Sequence, residues 1–503
     1  MADKHFINKT KKSVLISVIS KISYLKTKYI SSYCHSICFL ISQKIDFFAI
    51  TSLILIFLYF SISQINNPII FDAQGYLDIG HSYYHNGFLK SAPDMTNLES
   101  GLRTDIRTYF YPAFLCFLYS ISLITGIKEI LVISISQLLL YFFSTWVLKQ
   151  SISLIDKKIG KMVYITFAVN IFIFPYIVLP LTDLMSFCFF MLWLSRFILL
   201  DYYINLKDFH SAKSQILIVS LLSGVLLALR PASLWICTVS IVLFVIYFKK
   251  YLELYIYTKK KNARNSASSI LEFSYVCYTI FLLIVVFFLP LIPQFYFNYY
   301  AFGVFSVFPV FDLKKLQIDA GLTHLKLAGS FIHFGIVYSS PFFKPEIHEA
   351  DLLWYFKHFA SSFKHVFCKL IGAFDFDRVL VYGGEQKYTL NSVRSWVTGF
   401  FSLSIFNTGI YGAISYAFYR PKFFGHRFFP LILFCVWSLF TLPTAIELRF
   451  VIPMLLVFGI MSIYQIQLFF LYDKTHKKYF VFYYLSSLAI FLPIAYFVRS
   501  TII

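Results

Sequence analysis

The chain has 503 residues, of which 59% are hydrophobic, 21% aromatic and only 14% charged, and its mean hydropathy is +0.72. A single water-soluble core cannot absorb that apolar content, so the composition excludes an ordinary soluble globule and points to a polytopic membrane protein. The net charge of +20 does not point to nucleic acid, because the lysines gather in short connections between apolar runs, as the positive-inside bias requires.

Residues 1–45 are mixed polar, basic and weakly apolar, with Lys4, Lys9, Lys11, Lys12, Lys21, Lys26, Lys28 and Lys44. That pattern is unlike a cleavable signal peptide and reads as a cytoplasmic arm lying on the inner leaflet. Runs of about 18 mostly apolar residues can each cross roughly 30 Å of hydrocarbon as a helix. Such runs fall near 46–65, 129–148, 162–180, 184–200, 215–230, 232–248, 273–294, 396–418, 428–445, 449–472 and 479–498. Charge decides the remaining run, 109–125. If it spans, the basic connections at 149–161 and 249–264 fall outside; if it lies in the plane of the outer surface, both fall inside with Lys207, Lys213, Arg420, Lys422, Arg427, Lys474, Lys477 and Lys478.

The expected fold is therefore an all-α polytopic membrane protein with about 11 transmembrane helices, an inner N-terminus and an outer C-terminus. Its organisation reads as the arm 1–45, a seven-span module 46–294 containing a first outer loop 66–128, a second outer loop 295–395, and a four-span region 396–503. The second loop is too long for a connector and is expected to fold over the membrane face. The eight cysteines fall mostly in the arm and inside apolar runs, as buried thiols rather than a disulfide framework.

Charges at the outer boundary are costly enough to be functional candidates. Asp72 and Tyr76 lie four apart in FDAQGYLDIGHSYYHNGF, Phe71 to Phe88. Asp72 also suits a helix cap. Asp78, His81 and His85 fall on another face, which reads as solvated; the His-x-x-x-His spacing suits a metal, but no third ligand follows. Arg103, Asp105 and Arg107 precede Tyr109–Pro112, where interfacial anchoring is the ordinary reading. Thr182 with Asp183, Arg230 with Pro231, and Glu447 with Arg449 form three polar outer turns. A Thr cap explains the first, a complement to a helix C-terminus the second and mutual neutralisation the third. Asp375 and Asp377 form a D-x-D, with Glu385 and Lys387 beyond; a solvated strand end is favoured there over a metal site.

Collected, Asp72 and Asp183 with Arg230 and Arg449 suit group transfer from a lipid-linked phosphate. The leaving phosphate is a stable anion that needs no protonating acid, only cations to hold it and a carboxylate to take the acceptor proton. The order D-x-x-x-Y with a downstream Gly (Asp72, Tyr76, Gly87), then R-x-x-x-Y-P (Arg107, Tyr111, Pro112), resembles the C-type membrane glycosyltransferases. That superfamily uses polyprenyl- or dolichyl-phosphate sugars and includes protein O-mannosyltransferases and the lipid A aminoarabinose transferase. The likeness continues through Thr182–Asp183 and Arg230–Pro231, and Arg449, Phe450 and Pro453 match its R-[YF]-x-x-P. It covers most of 46–300 and a short C-terminal patch. It implies Asp72 as catalytic base, Asp183 as second active-site acid, and Tyr76, Arg107, Arg230 and Arg449 as substrate contacts. No metal or cofactor is expected, since Asp72 lacks a D-x-D partner of the kind the oligosaccharide-transferring members carry.

The implied partners are a polyprenyl-phosphate-linked sugar donor, a glycan, lipid or protein acceptor, and the bilayer. Phe-, Tyr-, Ile- and Lys-rich usage suits an AT-rich bacterial genome, which places the protein in a bacterial inner membrane with an extracytoplasmic site. Two rivals exist: a lipid-linked glycan flippase, expected to place charges at the bilayer midplane, and a surface-polysaccharide polymerase or ligase, expected to depend on loop arginines.

Overall fold

The Pro and Gly residues that bound the apolar runs, and the polar groups that meet them, decide how each run folds. A computed structural model describes residues 51, 52, 54, 55, 58, 69, 71–88, 107–168, 170, 172–262, 269–309, 313–328, 336–347, 351–376, 392–419, 426–471 and 474–502. The chain divides into two units, Met1–Leu55 and Ile56–Ile503, and every element that follows belongs to the second. The expected arm 1–45 and most of the expected first span 46–65 lie outside the described residues.

Among the described residues, seven helices are long and apolar enough to cross a membrane: Glu129–Ser153, Thr182–Asn205, Phe209–Leu229, Cys277–Phe302, Val393–Phe418, Leu448–Phe470 and Lys477–Ser500. Pro231–Tyr247 with Lys250–Tyr257, bent by 45°, makes an eighth if counted as one span. The protein is an integral membrane protein.

In chain order the helices are α1 (Phe71–Asn86), α2 (Phe110–Thr125), α3 (Glu129–Ser153), α4 (Lys157–Ala168), α5 (Thr182–Asn205), α6 (Phe209–Leu229), α7 (Leu234–Asn262), α8 (Ser269–Phe288) and α9 (Ile292–Phe302). There follow α10 (Leu313–Thr323), α11 (Phe359–Phe374), α12 (Val393–Tyr419), α13 (Phe429–Thr441), α14 (Ile452–Leu471) and α15 (Lys474–Ser500).

Two expected spans are not continuous helices. The run 162–180 takes only the last seven residues of α4 and then, among the described residues, irregular backbone with one helical turn, Phe174–Ile177. Asn170 turns the chain by accepting from the Phe172 N–H, and Pro175 opens the short turn. The freed carbonyls find partners on α3: Gln137 donates to Ile177 and Leu179, and the Tyr141 hydroxyl donates to Phe167. Irregular backbone survives at this depth only because protein buries and satisfies it. The run 428–445 likewise yields a helix of 13 residues, α13. The disputed run 109–125 forms the 16-residue α2, about 24 Å long, packed against α1, α3 and α6.

The described parts of 295–395 are folded, and among the described residues they depart from an all-α architecture through one hairpin. Strand β1 (His324–Ala328) pairs antiparallel with β2 (Ile336–Ser339), Lys326 opposite Tyr338 and Leu327 opposite Val337. This region grips the turn before α14. Leu327 donates its N–H to Ile446, and Ala445 donates its N–H to Gln317 on α10. Behind it, Ser339 donates its N–H to Thr501, just past α15.

Candidate active site

Local backbone rules deliver six charged side chains to one point. Pro231 disfavours the helical region for the residue before it, so α6 stops at Leu229 and Arg230 is extended (φ −157°, ψ 119°). Helix α5 starts after Pro180 and an extended Leu181, which puts Asp183 in its first turn. Asp72 is in the first turn of α1. Glu447 and Arg449 flank the start of a 3-10 turn, Leu448–Val451, that feeds α14. Arg107 enters just before α2, where Thr108 donates its hydroxyl to Leu229 and Tyr109 donates its N–H to Gln294. The site thus gathers the starts of α1, α5 and α14 with the end of α6.

Arg449 is the centre. Its Nη2 lies 2.8 Å from Asp72 Oδ2, its Nη1 3.3 Å from Asp183 Oδ2 and its Nε 2.5 Å from Glu447 Oε2. Arg230 pairs with the other oxygen of Asp183, and Arg107 Nη2 lies 3.2 Å from Asp72 Oδ1. The guanidinium of Arg230 stacks on Phe450 at 4.1 Å, and that of Arg107 sits 4.9 Å from the Tyr76 ring. Tyr76 meets Tyr111 edge-on at 5.3 Å, and its phenol reaches the Thr182 hydroxyl.

Exposure separates the acids. The Asp72 side chain is 32% exposed, against 2% for Asp183 and 11% for Glu447, so Asp72 is the carboxylate a substrate can reach. Burial would raise its pKa, but Arg449, Arg107 and Arg230 outweigh burial and hold Asp72 below the ordinary carboxylate value. At Glu447 the balance reverses: burial pushes the carboxyl up against the pull of Arg449, with Asp72 adding repulsion. Burial also raises the Tyr76 phenol, which stays protonated as a donor.

All six residues singled out from the sequence, Asp72, Tyr76, Arg107, Asp183, Arg230 and Arg449, converge here. Glu447 joins them through the neutralising contact with Arg449. Three features escaped sequence reading. A Cβ at Gly75 would sit 2.8 Å from the Arg107 guanidinium, so the bare glycine is what lets that group lie where it does. Tyr176 is buried within the field of Asp183, Arg449 and Glu447, and Gln294 fixes the loop of Arg107; neither carries a sequence signal beyond an apolar context.

Other expectations change. Thr182 does not act as an N-cap, a position held by Leu181, and Asp183 is engaged by arginines instead. His81 is half-buried rather than freely solvated: its Nε2 lies 2.9 Å from both oxygens of Glu129 at the start of α3. That contact raises the His81 pKa. His85 packs near Tyr119, and Gly87 (φ 79°) ends α1 away from the arginines. Asp375 is not a solvated strand end but a buried partner of Arg499 and Lys326; Arg103, Asp105, Asp377, Glu385 and Lys387 lie outside the described residues.

Comparison with protein families, with characterised proteins and with solved structures finds no match. The chemistry rests on the geometry alone: one accessible carboxylate, two buried acids and three guanidinium groups, placed where helices end.

Proposed function

We propose that this protein is a membrane glycosyltransferase of the C type, moving a monosaccharide from a polyprenyl-phosphate donor to a glycan, lipid or protein acceptor. The observation that carries this reading is the exposure of Asp72 between two guanidinium groups, Arg107 and Arg449. An arriving phosphate competes with the carboxylates for Arg107, Arg230 and Arg449, since Arg forms strong paired bonds to phosphate. Its arrival draws the arginines from Asp72, which raises the basicity of that carboxylate when a base is needed.

In the step itself the acceptor hydroxyl gives its proton to Asp72 and its oxygen attacks the anomeric carbon. The bond from that carbon to phosphate breaks, and the prenyl phosphate leaves as an anion held by the arginines. Asp183 keeps Arg230 and Arg449 aimed, and Tyr76 supplies a neutral hydrogen-bond donor.

A cleft of about 380 Å³ between α5, α6, α7 and α8, lined by Phe197, Val219, Ile241, Leu283 and Phe287 among others, offers room for a prenyl chain. Phe287 belongs to the apolar cluster of Leu227, Ala228 and Tyr109, adjacent in sequence to Arg230 and Arg107. The basic connections, such as Lys207 and Lys213, favour a cytoplasmic position for their own end of the bundle and so support an extracytoplasmic reaction.

The test is donor turnover by purified protein with a polyprenyl-phosphate sugar, comparing wild type with Asp72→Asn. The amide keeps the shape of Asp72 but takes no proton, so turnover is expected to fall by about 10²–10⁴-fold. Full turnover by Asp72→Asn removes Asp72 as base; lipid translocation without sugar transfer replaces the reading with a flippase.

A further inference from the structure

Helix α11 (Phe359–Phe374) is amphipathic the wrong way round for a helix facing water. Residues three and four apart share one side, and Phe359, Phe363, Val366, Phe367 and Leu370 do so here. Phe359 is 77% and Phe363 65% exposed, and the preceding turn adds Phe356 at 81%; Val366, Phe367 and Leu370 are half-buried. The opposite side is buried and polar: Ser362, His365, Cys368 and Lys369.

The inward groups have partners. His365 pairs through Nδ1 with the Ser340 hydroxyl at 2.8 Å and through Nε2 with the Gly321 carbonyl at 3.1 Å. Lys369 donates to Gly321 and, at 2.7 Å, to Thr444. The helix is therefore held to the fold by its polar side, and its aromatic side is presented outward.

Position says what covers that side. Helix α11 packs against α12 and α15, both candidate spans, and Gly372 meets Val498 in the last turns of α15. Beside it, Tyr496 is 65% and Val393 79% exposed, and Tyr496 stacks on Trp396, an aromatic belt of the kind found at a membrane interface. Lys357 and Lys364 are exposed and flank the aromatic row, placed to reach lipid phosphates while their stems lie on apolar surface. Helix α11 is too short and too polar to be among the spanning helices, so it lies along the surface rather than across it.

We propose that α11 is an in-plane interfacial helix whose Phe356, Phe359 and Phe363 insert into the bilayer at the end of the bundle that holds the Arg449 cluster. This inference does not depend on the transferase reading. It makes α11 a mechanical link: its outer side rests on lipid, while Lys369 on its inner side holds Thr444, three residues before Glu447.

The experiment places p-benzoylphenylalanine at Phe359 or Phe363, and at Lys364 as a flanking control, in the full chain reconstituted in vesicles of phosphatidylglycerol and phosphatidylethanolamine. Illumination followed by mass spectrometry identifies what each position touches. Phospholipid adducts at 359 and 363, about tenfold over those at 364, are expected of an inserted aromatic face. A cross-linked dimer as the main product shows a second copy on this face and overturns the proposal. So does a main adduct within the same chain, or equal lipid labelling at all three positions. The changes at Phe359 and Phe363 are aromatic-for-aromatic, all three positions are exposed, and retained thermal stability of each labelled protein checks that the fold is intact.

Discussion

At the residue scale, Arg449 bridges three carboxylates from three separate stretches of chain, Asp72, Asp183 and Glu447. Taking one partner from a buried ion pair leaves the other desolvated and uncompensated, at a cost of about 3–5 kcal/mol, so Arg449→Met is a poor probe of chemistry. Arg107 is better, because its main charge partner is the more exposed acid. It is one of the groups that hold the Asp72 pKa down. A depressed carboxylate contributes stability above its unfolded pKa of about 4, and that contribution disappears as pH falls through the lower folded value. Arg107→Gln removes one of the opposing charges, burial regains weight, and the Asp72 pKa rises. The acid limb of a turnover-against-pH profile is therefore expected to move to higher pH in Arg107→Gln. Gly75→Ala is expected to act in the same direction by displacing the same guanidinium, with little loss of thermal stability because a flexible side-chain end gives way. An acid limb that stays in place or moves down in Arg107→Gln shows that Asp72 does not govern the profile.

At the scale of elements, contact between α12 and α14 depends on two missing side chains. A Cβ at Gly409 would meet the Phe458 backbone oxygen at 2.7 Å, and one at Gly412 would collide with the Met461 backbone oxygen. Backbone cannot move aside as a side-chain end can, so these glycines set how closely the helices approach. Gly412→Leu is expected to lower stability by about 1–3 kcal/mol through overpacking, read as a lower midpoint of thermal inactivation in detergent. An unchanged midpoint disproves the close approach. Neither glycine stands out in the sequence, because a glycine in an apolar run looks the same whether it faces lipid or a neighbouring backbone. The same blindness explains the runs 162–180 and 428–445: hydropathy measures apolar content, not whether Gln137 and Tyr141 wait on another helix to satisfy a broken backbone. Asp72, Arg107, Asp183, Arg230 and Arg449 were legible for the opposite reason. A charge at the end of an apolar run is costly, and the cost itself marks the position. Asp375 and His81 failed that logic, since their partners Arg499 and Glu129 lie 124 and 48 residues away.

For the molecule as a whole, charge and geometry divide the bundle into two ends. The Arg449 cluster takes the starts of α5 and α14 and the end of α6, so the turn from α5 to α6, with Lys207, must lie at the other end. Gln467, near the end of α14, reaches Asp156 in the turn between α3 and α4, which adds Lys157, Lys158 and Lys161 to that same end. The positive-inside bias acts on short loops of this kind, where each Lys or Arg disfavours translocation. The folded segment around β1 and β2 grips the turn next to Glu447, and so lies at the cluster's end. The expected orientation follows: Lys207 faces the cytoplasm and Lys344, exposed beyond β2, faces outward. Single substitutions Lys207→Cys and Lys344→Cys, treated in intact cells with a membrane-impermeant maleimide, test this against the unsubstituted chain as background. Lys344→Cys is expected to label before lysis and Lys207→Cys only after it. The reverse pattern inverts the protein and puts the carboxylate of Asp72 on the cytoplasmic side. Soluble nucleotide-activated sugars are available there, and an extracytoplasmic lipid-phosphate donor would lose its rationale.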